Sequence, residues 1–116
     1  MRITLILDYS GLTYYGNIPN TPFPPDPRIE EFRYIEDSDL DLLDEDFIDS
    51  INETCDVALD RNDVDYFDKA KCIKLKLWLE NHLTEDAHPR LKDIYDTMLR
   101  YAQKAIELET GIVIEL

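Results

Sequence analysis

The sequence predicts a single α+β domain, in which a small sheet containing the N- and C-terminal strands packs against about three helices. A chain of 116 residues, 44% of them apolar, is long enough for one hydrophobic core. One compact apolar run opens the chain and another closes it. Three segments between these runs show helical apolar spacing. We therefore interpret residues 1–116 as one domain.

The N-terminal third is predicted to be largely extended. Residues 2–8, RITLILD, form a run of β-branched residues and leucine that is typical of a buried strand. Residues 12–18 are predicted to pair back as a second strand, and the Gly-Asn step within them fits a turn. Five prolines then lie between residues 19 and 27, which predicts a stiff loop because repeated proline removes backbone donors. Residues 29–36 are interpreted as a further strand.

The first helix, helix A, is predicted over residues 44–60. Asp44 is a suitable N-cap, and residues 40–44 could extend the helix back to a cap at Ser38. The predicted apolar face consists of Phe47, Ile48, Ile51, Cys55, Ala58 and Leu59.

Helix B is predicted over residues 63–83, and helix C begins at Pro89 and ends with Gly111 as its C′ residue. Residues 73–80 also alternate like a strand, but their Lys and Leu content and the residues before them favour a helix. The predicted apolar faces are Tyr66, Ala70, Ile73 and Leu77 on helix B, and Leu91, Ile94, Tyr95, Met98, Ala102, Ala105 and Ile106 on helix C. Residues 112–116, IVIEL, are predicted to form the final strand.

The negative charge is concentrated in one third of the chain. Of the formal net charge of −14, residues 36–68 supply −13, from 14 Asp or Glu against one Arg. The other 83 residues hold 12 acidic and 11 basic residues, a balance of −1. The acidity is therefore local, and phosphate repulsion disfavours binding to nucleic acids.

The acidic residues of helix A recur at helical spacing. Asp46, Asp49, Glu53, Asp56 and Asp60 follow each other at intervals of 3, 4, 3 and 4, which predicts one acidic face opposite the apolar one. Asp63, with Asp65 and Asp68, continues the acidity. Such like-charge neighbours cost about 0.2–0.5 kcal/mol each. A solvated face would explain a general excess of acids, but charge of one sign in one segment favours a docking surface for a basic partner.

Aromatic residues surround the proline loop. Core packing is expected to take some of Tyr9, Tyr14, Tyr15 and Phe23. Those that remain exposed are candidate anchors for a protein partner, because tyrosine is enriched at binding hot spots. We take Tyr14, Tyr15 and Phe23 as the candidate partner-binding residues.

Metal and cofactor motifs are not found in the sequence. Residues 37–41, DSDLD, begin like a calcium loop, but Leu42 and Ile48 stand where that loop needs Gly and Glu. His82 and His88 flank the turn between helices B and C without zinc-like spacing, and His88 could simply cap helix C. We expect neither a metal nor a cofactor.

Asp8 is the single catalytic candidate. Aspartates at strand ends hold magnesium in several phosphohydrolases, but an Asp before Ser-Gly more often starts a turn. The sequence contains no GxSxG and no Walker loop. We therefore expect no catalytic residue and no enzyme activity.

The cysteines and the hydropathy indicate a cytoplasmic protein. Cys55 and Cys72 lie at or near apolar positions, which predicts two buried free thiols; a disulfide between them would require export. The apolar run before Asp8 is too short for a signal peptide. No apolar stretch approaches the length of a membrane span, and anionic lipid would repel the acidic surface.

In its size and in the acidity of residues 44–60, DEDFIDSINETCDVALD, the chain resembles the immunity proteins that bacteria pair with nuclease toxins. The resemblance covers residues 36–68 and lies in composition. It implies an antitoxin that covers the active site, or a neighbouring surface, of a basic toxin in a 1:1 complex. Two alternatives remain: a nucleic-acid mimic that inhibits a DNA-binding protein, and a metal-dependent phosphohydrolase that uses Asp8.

Overall fold

The computed structural model describes residues 1–33, 37–84 and 88–116. Its strands are β1 (Arg2–Ile6), β2 (Tyr14–Tyr15), β3 (Ile18–Pro19), β4 (Ile29–Arg33), β5 (Val64–Phe67) and β6 (Ile112–Glu115). Its helices are α1 (Asp37–Leu43), α2 (Asp49–Cys55), α3 (Lys69–Thr84) and α4 (Pro89–Leu108), and a π-turn (Asp44–Ile48) joins α1 to α2. Within these ranges, no helix combines the length and the apolar composition that crossing a bilayer requires.

A four-stranded antiparallel sheet in the order β4-β1-β6-β5 forms the centre of the domain. The N- and C-terminal strands pair directly, with Ile3 opposite Ile114. This arrangement confirms the predicted α+β class. The predicted strand at 29–36 is confirmed for residues 29–33, and residues 34–36 lie outside the described ranges.

The predicted pairing of residues 12–18 with β1 is wrong. These residues and Pro19 instead form a separate hairpin of β2 and β3, in which Tyr15 pairs with Ile18 across the predicted Gly-Asn turn. The reason is that β4 and β6 already occupy both edges of β1. Gly16 adopts a φ of 63°, a conformation that favours glycine.

The two faces of the sheet are covered by different elements. Alternate residues of a strand point to opposite faces, and Ile3 and Leu5 of β1 join the main core with the helices. Ile6, on the other face, is fully buried outside that cluster. There the loop after the hairpin is fixed to the sheet: the Arg2 guanidinium donates to Thr21 Oγ1 at 2.7 Å. The hairpin and the proline loop therefore form a layer opposite the helices.

Helix A is longer and differently phased than predicted. It starts at Asp37, so residues 40–44 do extend it, but Asp44 lies in the π-turn rather than at the N-cap. It ends at Cys55, because Asp56 adopts the left-handed conformation with φ of 54°. Ala58 and Leu59 therefore lie beyond the helix, although Leu59 is buried.

The π-turn is explained by the spacing of the buried residues. A buried side chain recurs at every fourth position: Asp39, Leu43, Phe47, Ile51 and Cys55. In an α-helix of 3.6 residues per turn, a step of four residues overshoots a full turn by about 40°. A π-turn bonds residue i to i+5 and holds more residues per turn. It therefore reduces the drift and keeps this row facing the core.

Helix B begins later than predicted. Residues 64–67 form β5, which pairs with β6, and their Val, Tyr and Phe side chains suit a strand. Asp68 then caps α3, since its Oδ1 accepts a hydrogen bond from the Lys71 backbone at 2.9 Å.

The predicted apolar face of helix B is also wrong. Ile73 and Leu77 are 43% and 58% exposed, and Ala70 is exposed as well. The buried face consists of Cys72, Leu75, Trp78 and Leu79. Because α3 carries apolar residues on both faces, spacing alone could not identify the face that packs.

The predicted start of helix C is confirmed, and its predicted end is wrong. Pro89 is its first residue, and His88 Nδ1 accepts a hydrogen bond from the Arg90 backbone at 3.2 Å, as a cap. The left-handed residue at the other end is Glu109 rather than Gly111. Glycine is needed at 111 because a Cβ there would overlap the Phe67 carbonyl oxygen and the Tyr66 ring. The predicted apolar face is buried, except that Ile106 is half-buried.

Candidate protein-binding surface

Four acidic residues form an exposed row along the helix of residues 37–55. This acidic row consists of Asp41, Glu45, Asp49 and Glu53, one at every fourth position. Each member lies two residues after a member of the buried row. Two residues correspond to about 200° of rotation, so the acidic row lies on the side opposite the core. The π-turn that aligns the buried residues therefore aligns these carboxylates too.

Two arginines neutralise the N-terminal part of the acidic segment. Arg61, the single basic residue of 36–68, pairs with Asp41, and its Nε lies 3.1 Å from Asp44 Oδ2. Arg90 binds the buried carboxylate of Asp39 in a bidentate manner, at 2.9 and 3.0 Å. A bidentate arginine is the geometry that compensates a desolvated carboxylate best.

Several predicted or neighbouring acids have structural partners. Asp46 is half-buried and accepts a hydrogen bond from the Tyr95 hydroxyl at 2.5 Å, so its predicted place on the solvent face is wrong. Asp65 Oδ2 accepts the Ala58 N–H at 2.9 Å, and Asp68 caps α3. These three side chains stabilise the fold.

The predicted continuation of the stripe through Asp56 and Asp60 is also corrected. Both residues are exposed, but they lie beyond the end of α2 and do not continue its face. Asp63 is exposed and its Oδ1 accepts the Val64 N–H at 2.8 Å.

Between residues 45 and 63, six exposed acids have no ionic partner in the described part of the chain. In residues 1–33, 37–84 and 88–116, no ion pair is formed by Glu45, Asp49, Glu53, Asp56, Asp60 or Asp63. Apart from Arg61, which is paired with Asp41 and Asp44, the charged residues from the π-turn to β5 are therefore all acidic. A surface of this kind attracts cationic molecules and accelerates their association.

The three aromatic candidates are all exposed. Tyr14, Tyr15 and Phe23 expose 53%, 80% and 69% of their surface. Tyr9 differs, because it is half-buried and its hydroxyl is hydrogen-bonded to that of Tyr66; burial raises the pKa of both phenols.

Tyr15 and Phe23 line an aromatic groove of about 240 Å³ on the sheet face that the hairpin covers. Its other lining residues are Arg2, Ile18, Pro19, Asn20, Thr21, Val64, Val113 and Glu115. Tyr14 does not line it. Two of the aromatic candidates and polar groups of the sheet therefore line the same groove.

A small ion network adjoins the groove through Arg2. Arg2 Nε donates to Glu31 Oε2 at 2.5 Å, and Arg33 Nε donates to Glu31 Oε1 at 2.9 Å. Burial raises the pKa of Glu31, but these two hydrogen bonds outweigh it and the pKa lies below its usual value. The two guanidinium carbons lie 4.7 and 5.3 Å from the centre of the Phe23 ring, within cation–π range.

The structure does not bring the two predicted contact regions together. The residues that line the groove include none of the acids in 44–60. The acidic row belongs to a helix that packs against α3 and α4, whereas the groove lies on the opposite face of the sheet from those helices. The chain thus presents an acidic surface and an aromatic surface.

Asp8 lies in a turn, the more common role of an Asp before Ser-Gly. Its Oδ1 accepts the Ser10 N–H at 2.9 Å, and this bond lowers the pKa of the exposed carboxyl. Within the described part of the chain, no three His, Cys, Asp or Glu side chains gather as a metal site. Cys55 and Cys72 are buried free thiols, and burial raises their pKa values to about 11 and about 12.

Comparison with protein-family models, with curated proteins and with solved structures returned no match. The site therefore has to be interpreted from its own geometry. Sequence reasoning missed Asp41 and Glu45 as members of the exposed row. Their membership could have been recognised from the spacing, because both the apolar and the acidic residues recur at every fourth position. An ordinary α-helical face shows alternating intervals of 3 and 4 instead.

Proposed function

We propose that this chain is a cytoplasmic binding protein that neutralises a basic partner in a 1:1 complex, as an immunity protein does with a nuclease-type bacterial toxin. The observation that carries the proposal is the set of six exposed acids between residues 45 and 63 that form no ion pair with the described residues. Like charges along one helix are unfavourable in the free protein. A cationic partner would remove that repulsion, so the repulsion in the free protein favours binding.

The spacing of the charges favours a protein partner over mimicry of nucleic acid. Along the acidic row, one carboxylate follows another after four residues, or about 6 Å of helix axis. Duplex DNA carries one charge per about 1.7 Å. A protein surface that binds the duplex would therefore meet too few charges on this helix, whereas lysine and arginine side chains can adjust to the wider spacing.

The aromatic surface would supply lasting affinity. Exposed charges mainly accelerate association, whereas slow dissociation depends on anchors that lose their water. Tyr14, Tyr15 and Phe23 have the exposed area for such anchors. The prolines beside Phe23 restrict the loop, which lowers the entropy lost on binding.

The test uses the product of the gene next to the one that encodes this chain, provided that it ends in a basic domain. We expect a 1:1 complex by light scattering and an association rate that falls steeply from 50 to 300 mM salt. Asp49→Lys with Glu53→Lys should slow association about tenfold or more. Tyr15→Ala should mainly accelerate dissociation.

A matched control separates the row from net charge. Asp93→Lys with Asp96→Lys makes the same charge change at exposed positions of α4, and it should slow association much less. Association that is insensitive both to salt and to the row substitutions would refute the proposal.

A further inference from the structure

The aromatic groove has the size of a socket for one side chain. Its volume is about 240 Å³. Sites for small molecules usually enclose about 300–1,000 Å³. Val64 and Val113 supply an apolar lining, and Tyr15 and Phe23 stand beside it. The groove can therefore take a long side chain along its length.

One acceptor in the groove lacks a donor. Glu115 Oε2 is shielded from solvent and receives no hydrogen bond from the described residues. Arg2 Nη1 forms an ion pair with it at 3.5 Å, but the hydrogen bonds of the Arg2 guanidinium go to Glu31, Thr21 and the Pro22 carbonyl. A shielded carboxylate oxygen without a donor is unfavourable. The Glu115 side chain is 43% exposed, so a donor that arrives from outside can reach the carboxylate after a small side-chain rotation.

We propose that the groove receives an arginine or lysine side chain of the basic partner, with its cationic end at Glu115 Oε2. This inference rests on the proposed function, since it names the group that the partner inserts. The aliphatic stem would lie on Val64 and Val113, as long basic side chains do on apolar surfaces. Tyr15 would flank the cation. Arg2 and Arg33 already pack on Phe23, which leaves Tyr15 as the ring available to an incoming cation.

The free chain can be tested with N-acetyl-arginine methylamide as the probe, by following backbone amide signals in NMR. We expect the largest shifts at Tyr15, Val64, Val113 and Glu115. The corresponding citrulline compound has nearly the same shape without the charge, and it should bind about tenfold more weakly. Glu115→Gln and Tyr15→Ala should each weaken arginine binding several-fold.

Tyr14→Ala is the matched control, because Tyr14 is an exposed tyrosine of the same hairpin that does not line the groove. It should leave binding of the arginine probe unchanged, because its proposed role as an anchor concerns the whole partner protein and not the groove. Tyr15→Ala changes a side chain that is mostly exposed, so it tests the groove even if Glu115→Gln perturbs β6. Equal binding of citrulline, or shifts confined to Glu45, Asp49 and Glu53, would overturn the inference.

The same measurements separate this inference from the proposed function. If arginine shifts the groove signals but the chain binds no basic partner, the proposed function fails and the socket remains. If the acidic-row substitutions slow association with the partner but arginine leaves the groove signals unchanged, the socket fails and the proposed function remains.

Discussion

Tyr95 donates its hydroxyl hydrogen to Asp46 Oδ2 across 2.5 Å and so links α4 to the π-turn. The Tyr95 ring is fully buried and lies 5.9 Å from the Phe47 ring. Burial, together with the hydrogen bond and the negative charge of Asp46, raises the pKa of the phenol, so the hydroxyl stays protonated and remains a donor. The bond joins the part of helix A that departs from α-helical geometry to α4, the longest of the described helices.

Tyr95→Phe should therefore destabilise the fold. The substitution keeps the ring but leaves the half-buried Asp46 carboxylate without this donor, at a cost of about 1–3 kcal/mol. Urea denaturation measures the change. Tyr101→Phe is the control, because Tyr101 is also buried but its hydroxyl has no hydrogen-bond partner among the described residues; a similar loss there would mean that the Asp46 bond contributes little.

Two isoleucine substitutions test the helix phases. Ile51→Asp should unfold the domain, because it places an unpaired charge at a position with no solvent exposure. Ile73→Asp makes the same chemical change on the exposed face of α3 and should alter stability by no more than about 0.5 kcal/mol. Circular dichroism and thermal melting compare the two. A folded Ile51→Asp protein would contradict the described packing of helix A.

Reversing the charge of the acidic row should make the free protein more stable. Asp49→Lys with Glu53→Lys removes like-charge contacts along α2 and should raise the unfolding midpoint slightly at low salt. In 1 M salt the Debye length is only about 3 Å, so the gain should nearly vanish. The Asp93→Lys/Asp96→Lys protein should gain less, unless net charge rather than the row dominates the repulsion.

Asp26 should contribute to stability in a defined range of pH. Arg28 donates side-chain and backbone hydrogen bonds to this carboxylate and lowers its pKa from 3.8 to about 2. Because the folded-state pKa is the lower one, the stabilisation is present above pH 3.8 and is lost as the pH falls toward 2. Asp26→Asn should be less stable at pH 7, and the difference should narrow between pH 4 and pH 2. A constant difference in urea midpoints over that range would argue against the assignment.

The fold class could be predicted because its signals are local. The apolar runs at the two ends of the chain and the stripe of helix C each depend on residues near one another in sequence. The error at residues 63–68 has a different origin. Val64–Phe67 is a short segment that becomes a strand through pairing with β6, more than forty residues away, and local spacing does not report such a partner.

The candidate site was only partly predictable for a related reason. Asp49 and Glu53 are exposed as predicted, and so are Tyr14, Tyr15 and Phe23. Asp46 was misplaced because an ideal period of 3.6 was applied to a helix that contains a π-turn. The groove could not be foreseen, since Phe23 and Glu115 meet only after β1 and β6 pair.

The π-turn at residues 44–48 gives helix A a defined response to changes in its length. A π-turn accommodates one residue more than an α-turn, so removing one residue there, such as Glu45, would allow an uninterrupted α-helix. Ile51 and Cys55 would then keep their places in the core. Inserting one residue would instead rotate every later side chain by about 100° relative to α1 and turn the carboxylates that follow toward the core. This stretch should therefore tolerate the loss of a residue better than the gain of one.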